Sequence, residues 1–378
     1  MLVGSSTGYL REITEPLARS GFKIKAFIPD GDPLWGATHI HDKYLIPSDT
    51  GESLLNFIFE SEELLNSNGW FLWSSIETSR AIARSSLTKD VKSRLLNQIK
   101  TEEMCIVGSR TNQIQLFKKL GLVYPRSCIV HNYDALAEMK FDFPTLIKGD
   151  LGGGGYGVRD FTSGKLVKED AELSANFPVV IQEKLDGATT HVEAFFQCGR
   201  LLYWGYSENP KTHHGYRYCP VRHYMKPHDN ECLEAIVKIG RYLNISGPVG
   251  FAFIREAKTN QHFIIEVDVN AGIWHHSFSF FGFDLVGALM DLRNESNPLR
   301  SDESLDFYDP RECFEKSMTE GKFVRSLAIL LGRNIEGHGA PMETVFLNPR
   351  SRLRALISYI QILIRSQFKL MRGRTQGG

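Results

Sequence analysis

The stretch Phe143-Pro-Thr-Leu-Ile-Lys148-Gly-Asp-Leu-Gly-Gly-Gly-Gly-Tyr-Gly-Val158 runs a short apolar strand into a lysine and then into a loop with four consecutive glycines. Backbone without Cβ atoms can bring successive N–H groups around a phosphate oxygen, and Lys148 adds a full positive charge beside them. The pattern therefore suits a polyphosphate cradle. A mobile glycine linker after a buried strand has the same composition. The spacing differs from the G-x-x-x-x-G-K-[ST] of a Walker loop. The residues downstream decide between cradle and linker.

The chain has 378 residues, enough to bury a large core spread over two or three lobes. Acidic and basic residues balance at 44 each, so the charge demands neither nucleic acid nor an acidic polymer as partner. The six cysteines, Cys105, Cys128, Cys198, Cys219, Cys232 and Cys313, are scattered without a C-x-x-C spacing. They read as reduced thiols or core fillers. The first residues lack a basic segment followed by a long apolar one, which argues against a secretory signal. No run approaches the roughly 20 apolar residues of a membrane span. A soluble, cytoplasmic protein is expected.

Residues 1–105 alternate apolar runs with helical patterns. Phe22 to Ile28 reads as a strand, Trp70 to Trp73 as another, and helices pass through Leu17 and Ala18 and through Ile82 and Ala83. This β-α-β order predicts an α/β segment with an open parallel sheet. Gly4-Ser-Ser-Thr-Gly8 reads as a strand-to-helix turn, without the G-x-G-x-x-G that would favour a phosphate site. From Thr111 to Leu120 a helix is expected, broken at Gly121 and Pro125. Beyond residue 181 the pattern is strand-rich, with strands at 179–183, 191–196 and 201–206. A helix follows near Leu233 to Leu243, then a hairpin of Val249 to Ile254 and His262 to Asp268. Helices are expected near 311–332 and 350–371.

The strand Phe263-Ile-Ile-Glu266-Val-Asp268-Val-Asn270 is the second strong signal. Alternation places Glu266, Asp268 and Asn270 on one face, with Val267 and Val269 opposite. Two carboxylates and an amide are hard oxygen ligands, suited to Mg²⁺ shared with substrate phosphates. A polar solvent face would look similar, although the valines imply burial on one side only. A third signal is Val179-Val-Ile-Gln-Glu183-Lys-Leu-Asp-Gly187 followed by His191. Such a strand end can offer backbone groups and one carboxylate to a base edge, with the histidine reaching a ribose. Taken alone, an ordinary strand end with a charged turn explains it better.

Taken in order, these pieces resemble the ATP-grasp superfamily, most of all its biotin carboxylase and carbamoyl-phosphate synthase pattern. Gly108-Ser-Arg110 and the helix ending Lys118-Lys-Leu-Gly121 resemble that family's Gly-Asp-Lys segment. Phe143-Pro-x-x-Ile-Lys148 with Gly152, Gly153, Gly154, Gly155, Tyr156 and Gly157 resembles its phosphate lid. Glu183, Lys184 and Leu185 resemble the adenine hinge, and His191 a ribose contact. Glu266-Val-Asp268-Val-Asn270 stands where the family has Glu-x-Asn-x-Arg, and Gly272 to Ser277 resembles a Trp-His-rich continuation in ligases of cell-envelope and polysaccharide loci. The resemblance spans roughly residues 1–295, and its joint order is far more specific than any one motif.

The resemblance implies a preATP-grasp Rossmann-like domain at 1–105, a small lobe with the glycine loop at 106–180, a large lobe with the metal strand at 181–300 and a helical extension at 301–378. It implies ATP and Mg²⁺ (or Mn²⁺) as cofactors and a carboxylate and an amine as small-molecule substrates. The carboxylate would be activated as an acyl phosphate. Arg110, Lys148, the loop glycines, Tyr156, Glu183, Lys184, Leu185 and His191 would hold the nucleotide. Lys148 and Asn270 would be catalytic, and Glu266 and Asp268 would bind metal. No nucleic acid partner is implied, and a homo-oligomer is the expected assembly.

Three departures stand out. Arg110 replaces a lysine, Asn270 replaces an arginine, and Ala252 falls where the first metal carboxylate is expected, leaving Glu256 and Glu193 as candidates to compensate. A catalytically degenerate ATP-binding regulatory or scaffold protein and a biotin-carboxylase-like enzyme are the rival readings. Lys211 to Tyr218 lies where an acceptor could sit, with a surface loop as its alternative. His275 and His276 suit capping or packing better than a transition metal. Residues 350–374 carry seven basic and no acidic residues around apolar Leu353, Leu356, Ile357, Ile360 and Ile364. They read as a docked terminal helix, with peripheral contact to an anionic membrane as the alternative.

Overall fold

The computed structural model describes residues 99–152, 177–209 and 231–270 without interruption, most of 17–96 and 155–173, the stretch 221–225, and short pieces beyond 270. The first segment pairs β1 (Lys25–Pro29) with β2 (Asp42–Ile46) in parallel, with Phe27 opposite Tyr44. Their rings stack at 4.9 Å. Helices Gly51–Glu60 and Ile76–Arg84 pack nearby, Ile58 and Ile82 being fully buried. The apolar run expected as a strand behaves differently. Phe71, Leu72 and Trp73 are buried, but they join no ladder among the described residues, and the Trp73 Nε1–H donates to the Leu95 carbonyl at 2.6 Å. Burial alone drives such a run inside, and a short apolar run does not distinguish a ladder strand from other buried backbone.

The second sheet runs in the order β3 (Ser127–Val130), β6 (Val179–Glu183), β4 (Thr145–Gly149), β5 (Val158–Asp160), all antiparallel. Alternation divides its two faces. Ile147, Val179 and Ile181 join Val130, Leu136, Val167 and Leu173 in a private core. Lys148 pairs with Val180, and Leu146 with Gln182, on the other face. That face looks toward the helix Arg110–Lys119, which packs on β6 and on the third sheet.

The third sheet includes β11 (His262–Asp268), β10 (Gly247–Glu256), β7 (Gly187–Gln197), β8 (Arg200–Glu208) and β9 (Val221–Tyr224) in that spatial order, with β11 at the edge among the described residues. Val249, Phe251 and Phe253 of β10 are buried with Val192, Tyr206 and Val267 against the helix Glu231–Leu243. Gly250 and Ala252, one residue out of phase, are less buried and face the other way. The register slips between Ala252 and Phe253, an irregularity that twists the strand next to the site. Residues 184–186 carry the chain from β6 into β7 and so link the two sheets. Their far end is fixed by the Ala257 N–H, which donates to the Asp186 carbonyl at 2.9 Å.

Packing of the helix Glu231–Leu243 on the sheet depends on Gly240. A Cβ there would overlap the ring of Phe196, which is itself buried. Gly240→Ala is therefore expected to destabilise the protein by about 1–3 kcal/mol despite alanine's better helix propensity, because overpacking outweighs propensity here. A denaturant melt checks this; unchanged or increased stability would contradict the packing described.

Candidate nucleotide and cation site

The site is assembled at the ends of the strands facing the helix Arg110–Lys119. Ser109 caps this helix, its hydroxyl accepting from the Asn112 N–H at 3.4 Å. The residue before it, Gly108, has φ of +61°, and a Cβ there would stand 2.6 Å from the Arg80 guanidinium. The first helical residue, Arg110, is buried and donates through Nη1 to the Gly149 carbonyl at 2.7 Å. Arg110 thus stands directly against the end of β4, where the glycine loop begins.

Lys148 is buried on β4 and donates to the Gln182 carboxamide oxygen at 2.6 Å. Gln182 in turn donates to Ser127 Oγ at 3.2 Å. Burial, with the neighbouring Arg110 charge, lowers the Lys148 ammonium from 10.5 to about 8, while Glu266 pulls it back up. The loop closes on itself at its base, where Gly149 N–H donates to the Gly157 carbonyl at 3.3 Å. Gly152, Gly155 and Gly157 have φ of 146°, 79° and 69°, so side chains at these positions would strain the turn. Gly153, Gly154 and Tyr156 lie outside the described residues.

Across from these cations stand the two carboxylates of β11. Glu266 pairs with Ala252, and Asp268 with Gly250, so both project from one face of the sheet. Burial first, and then the charge of Glu266, hold the Asp268 carboxyl well above the ordinary range; Arg110 and Arg222 oppose the shift. Two such carboxylates resist sharing one face while both are ionised, and a divalent cation between them removes that conflict. The pair fits a hard cation in this sense. Among the described residues no group of three or more His, Cys, Asp or Glu side chains can hold a metal, so the remaining ligands would be oxygens from elsewhere. Asn270 lies just past the end of β11 and is partly buried.

Neither candidate to replace the carboxylate missing at Ala252 is placed to do so. Glu256 sits four residues further along β10, opposite Gly187, and accepts from the Thr259 hydroxyl at 2.7 Å. Glu193 does project from the site face, in register with Gly250. It is buried, however, in an ion pair with Arg222 and accepts from Tyr224 Oη at 2.9 Å.

Toward the linker, the carboxylate of Glu183 is held by Arg126 through two bonds of 2.9 and 2.8 Å, and this pairing lowers its pKa. The Glu183 N–H donates to the Arg126 carbonyl, and the Lys184 N–H to that of Pro144, both at 2.8 Å. The Glu183 carboxylate is thus committed to Arg126, and both N–H groups at this strand end are committed to carbonyls. Lys184 pairs with Asp160 at 2.7 Å, Leu185 lies in the linker, and His191 Nε2 is 3.2 Å from Asn209 Oδ1. Lys211 to Tyr218, His275, His276, Gly4 to Gly8 and residues 350–374 lie outside the described residues.

Several contributors carry no motif. Asp150 is buried at the start of the loop, and its carboxylate accepts from Ser109 Oγ at 2.9 Å, Thr111 N–H at 2.9 Å and Thr111 Oγ1 at 2.8 Å. Gln113 reaches the backbone of β11, and Arg222 reaches Glu193. The Ser109-x-Thr111 spacing at a helix start was the one local signal for an anion there.

No protein-family model matches the chain, and no curated protein matches it in sequence. Solved structures do match. An L-amino acid ligase from Bacillus licheniformis superposes with a TM-score of 0.58 at 16% identity, covering 81% of this chain and 78% of the ligase. Biotin carboxylase from Campylobacter jejuni, in a β-γ-ATP complex, gives 0.60 at 15% identity over 81% of this chain and 74% of its own. N5-carboxyaminoimidazole synthetase from Staphylococcus aureus, complexed with ADP, gives 0.60 at 12% identity, covering 85% and 86% of the two chains. With a glycine loop on one sheet, a carboxylate strand on the next and a short linker between them, the fold of this chain is the ATP-grasp fold.

Proposed function

We propose that the protein is an ATP- and Mg²⁺-dependent ligase that activates a carboxylate as an acyl phosphate for attack by an amine. The observation that carries this reading is the opposition of two buried cations, Lys148 and Arg110, to the carboxylate pair Glu266 and Asp268. In it, residues 106–180 and 181–300 form the two lobes around the nucleotide, after a first domain at 1–105 and before an extension at 301–378. A β-γ-ATP complex and an ADP complex among structures of the same fold support the reading that this chain binds a nucleotide.

Phosphoryl transfer asks for alignment and charge neutralisation more than for a protein nucleophile. Lys148 and Arg110 would offset negative charge on the phosphates, while the glycine loop covers them and excludes water. Glu266 and Asp268 would hold Mg²⁺, with Asn270 beside them. The cation, when bound, supplies further neutralisation at the transferring phosphoryl group. A substrate carboxylate oxygen would attack the γ-phosphorus, and the bond to the β-phosphate oxygen would break to release ADP. The amine lone pair would then displace phosphate from the acyl carbon, and the nitrogen would lose its proton. ADP release measured across pairs of amino acids and sugar acids with amines tests this. Turnover that requires both a carboxylate and an amine is expected; ATP binding without ADP release for any pair would refute the ligase.

The absence of a carboxylate at Ala252, with Glu193 committed to Arg222, favours a second reading, an ATP-binding regulatory or scaffold protein that does not turn over. That reading expects tight ATP binding, no ADP under any acceptor, and no gain in Ala252→Glu. Robust turnover eliminates it.

Lys148 also gives the site a pH signature. Its folded value, about 8, lies below the ordinary 10.5, so between these limits the unfolded chain holds a proton that the folded protein lacks. From this group, stability rises with pH across that window. Nucleotide phosphates favour the charged form, so ATP binding should take up a proton near pH 9 and weaken as pH rises beyond about 8. Calorimetric titrations in buffers of different ionisation enthalpy measure that uptake; none at pH 9 would contradict a phosphate beside Lys148.

A further inference from the structure

The helix Arg110–Lys119 grips both halves of the site within little more than one turn. At its first turn, Ser109 and Thr111 hold the Asp150 carboxylate, and the Arg110 N–H donates to the Asp150 carbonyl at 3.2 Å. The start of the glycine loop is thereby latched to the helix. Three residues after Arg110 comes Gln113, which is buried and extends to the opposite side of the site. Its carboxamide Nε2 donates to the Val267 carbonyl at 2.8 Å, and its Oε1 accepts from the Val267 N–H at 3.1 Å.

Val267 lies between Glu266 and Asp268 on the edge strand of the sheet. An edge strand has no neighbour for its outer backbone groups, which then need other partners. A carboxamide has the donor and acceptor of a peptide group, so Gln113 does at Val267 what one residue of a further strand would do. The two bonds fix the tilt of β11 where the carboxylates leave the backbone. Val123 supports the same strand further along, its carbonyl accepting from the Ile264 N–H at 2.9 Å.

We propose that Gln113 is a positioning residue for the Glu266–Asp268 pair, setting the carboxylates against the phosphate-binding loop that Asp150 latches to the same helix. The proposal rests on the Mg-ATP reading of the site. A packing role alone would lower stability without separating the affinity for nucleotide from that for metal.

ADP and Mn²⁺ serve as probes with the full-length protein. ADP affinity is measured by calorimetry without metal, and Mn²⁺ affinity of the ADP-bound protein by electron paramagnetic resonance. Gln113→Met removes both bonds to Val267, and the longer one to the Ile106 carbonyl at 3.5 Å, at similar volume. It should leave metal-free ADP affinity at the wild-type value and weaken Mn²⁺ binding by about tenfold or more, as loss of an outer partner of metal ligands does. Asp150→Asn should do the reverse, weakening metal-free ADP binding while the Mn²⁺ affinity of the ADP-bound protein stays at the wild-type value. If Gln113→Met does not fold, Gln113→Asn, which keeps both groups one methylene short, should show the same separation. Equal losses of ADP and Mn²⁺ affinity in a folded Gln113 variant, or no loss of Mn²⁺ affinity, would overturn the proposal. Wild-type protein that binds ADP but no Mn²⁺ would overturn it together with the cation site. Wild-type protein that binds neither would overturn the nucleotide reading as well.

Discussion

Lys148→Met should reduce ATP affinity by about 10–100-fold, the equivalent of losing a charged hydrogen bond of roughly 1.5–3 kcal/mol. The side chain sits at the end of β4, between Arg110 and the glycine loop, and has Gln182 as its hydrogen-bond partner there. A methionine of similar length keeps the packing and removes a cation whose burial is unfavourable, so thermal stability at neutral pH should be unchanged or slightly raised. Calorimetric titration with ATP, beside a thermal melt, separates the two effects. An unaltered affinity would place the phosphates away from Lys148; a collapse in stability would make the lysine structural.

The largest effect on stability is expected for Glu193→Ala. Glu193 is 2% exposed and Arg222 is 8% exposed, and the carboxylate balances the guanidinium while also accepting from Tyr224. Removing one member of a buried ion pair takes from the other its short-range partner in a desolvated place, at a cost of about 3–5 kcal/mol. A double substitution, Glu193→Gln with Arg222→Met, removes both charges and should recover much of the loss. Urea denaturation of the two variants decides the matter. A single variant no less stable than the double would show that Arg222 does not depend on Glu193. The pair also explains why Glu193 cannot stand in for the carboxylate absent at Ala252, although both project from the same face.

Much of the site was legible because its parts obey short periods. Alternation alone placed Glu266 and Asp268 on one face, and β11 puts them opposite Ala252 and Gly250 as that requires. The helix after Ser109 and the turn-forming glycines after Lys148 were equally local. What escaped was everything set by contacts between distant segments. Asp150 looked like a loop residue until Ser109 and Thr111, some 40 positions earlier, enclosed it. Gln113 and Val267 are 154 positions apart, and no period links a glutamine to the free edge of a strand. The apolar run ending at Trp73 reads as a ladder strand and joins none among the described residues, since hydrophobicity reports burial and leaves hydrogen bonding open. Glu183 was expected to offer its carboxylate to a base, but Arg126, adjacent to β3, was there first.

Calorimetric titration of the full-length protein with ATP, in the presence and absence of Mg²⁺, tests the central claim most directly. The opposed cations and carboxylates predict one site per chain, tighter with Mg²⁺ than without. They also predict that the Mg²⁺ enhancement is lost in Asp268→Asn and that binding itself is weakened in Lys148→Met. ATP binding that is indifferent to Mg²⁺ and to both substitutions, or no ATP binding at all, would contradict it.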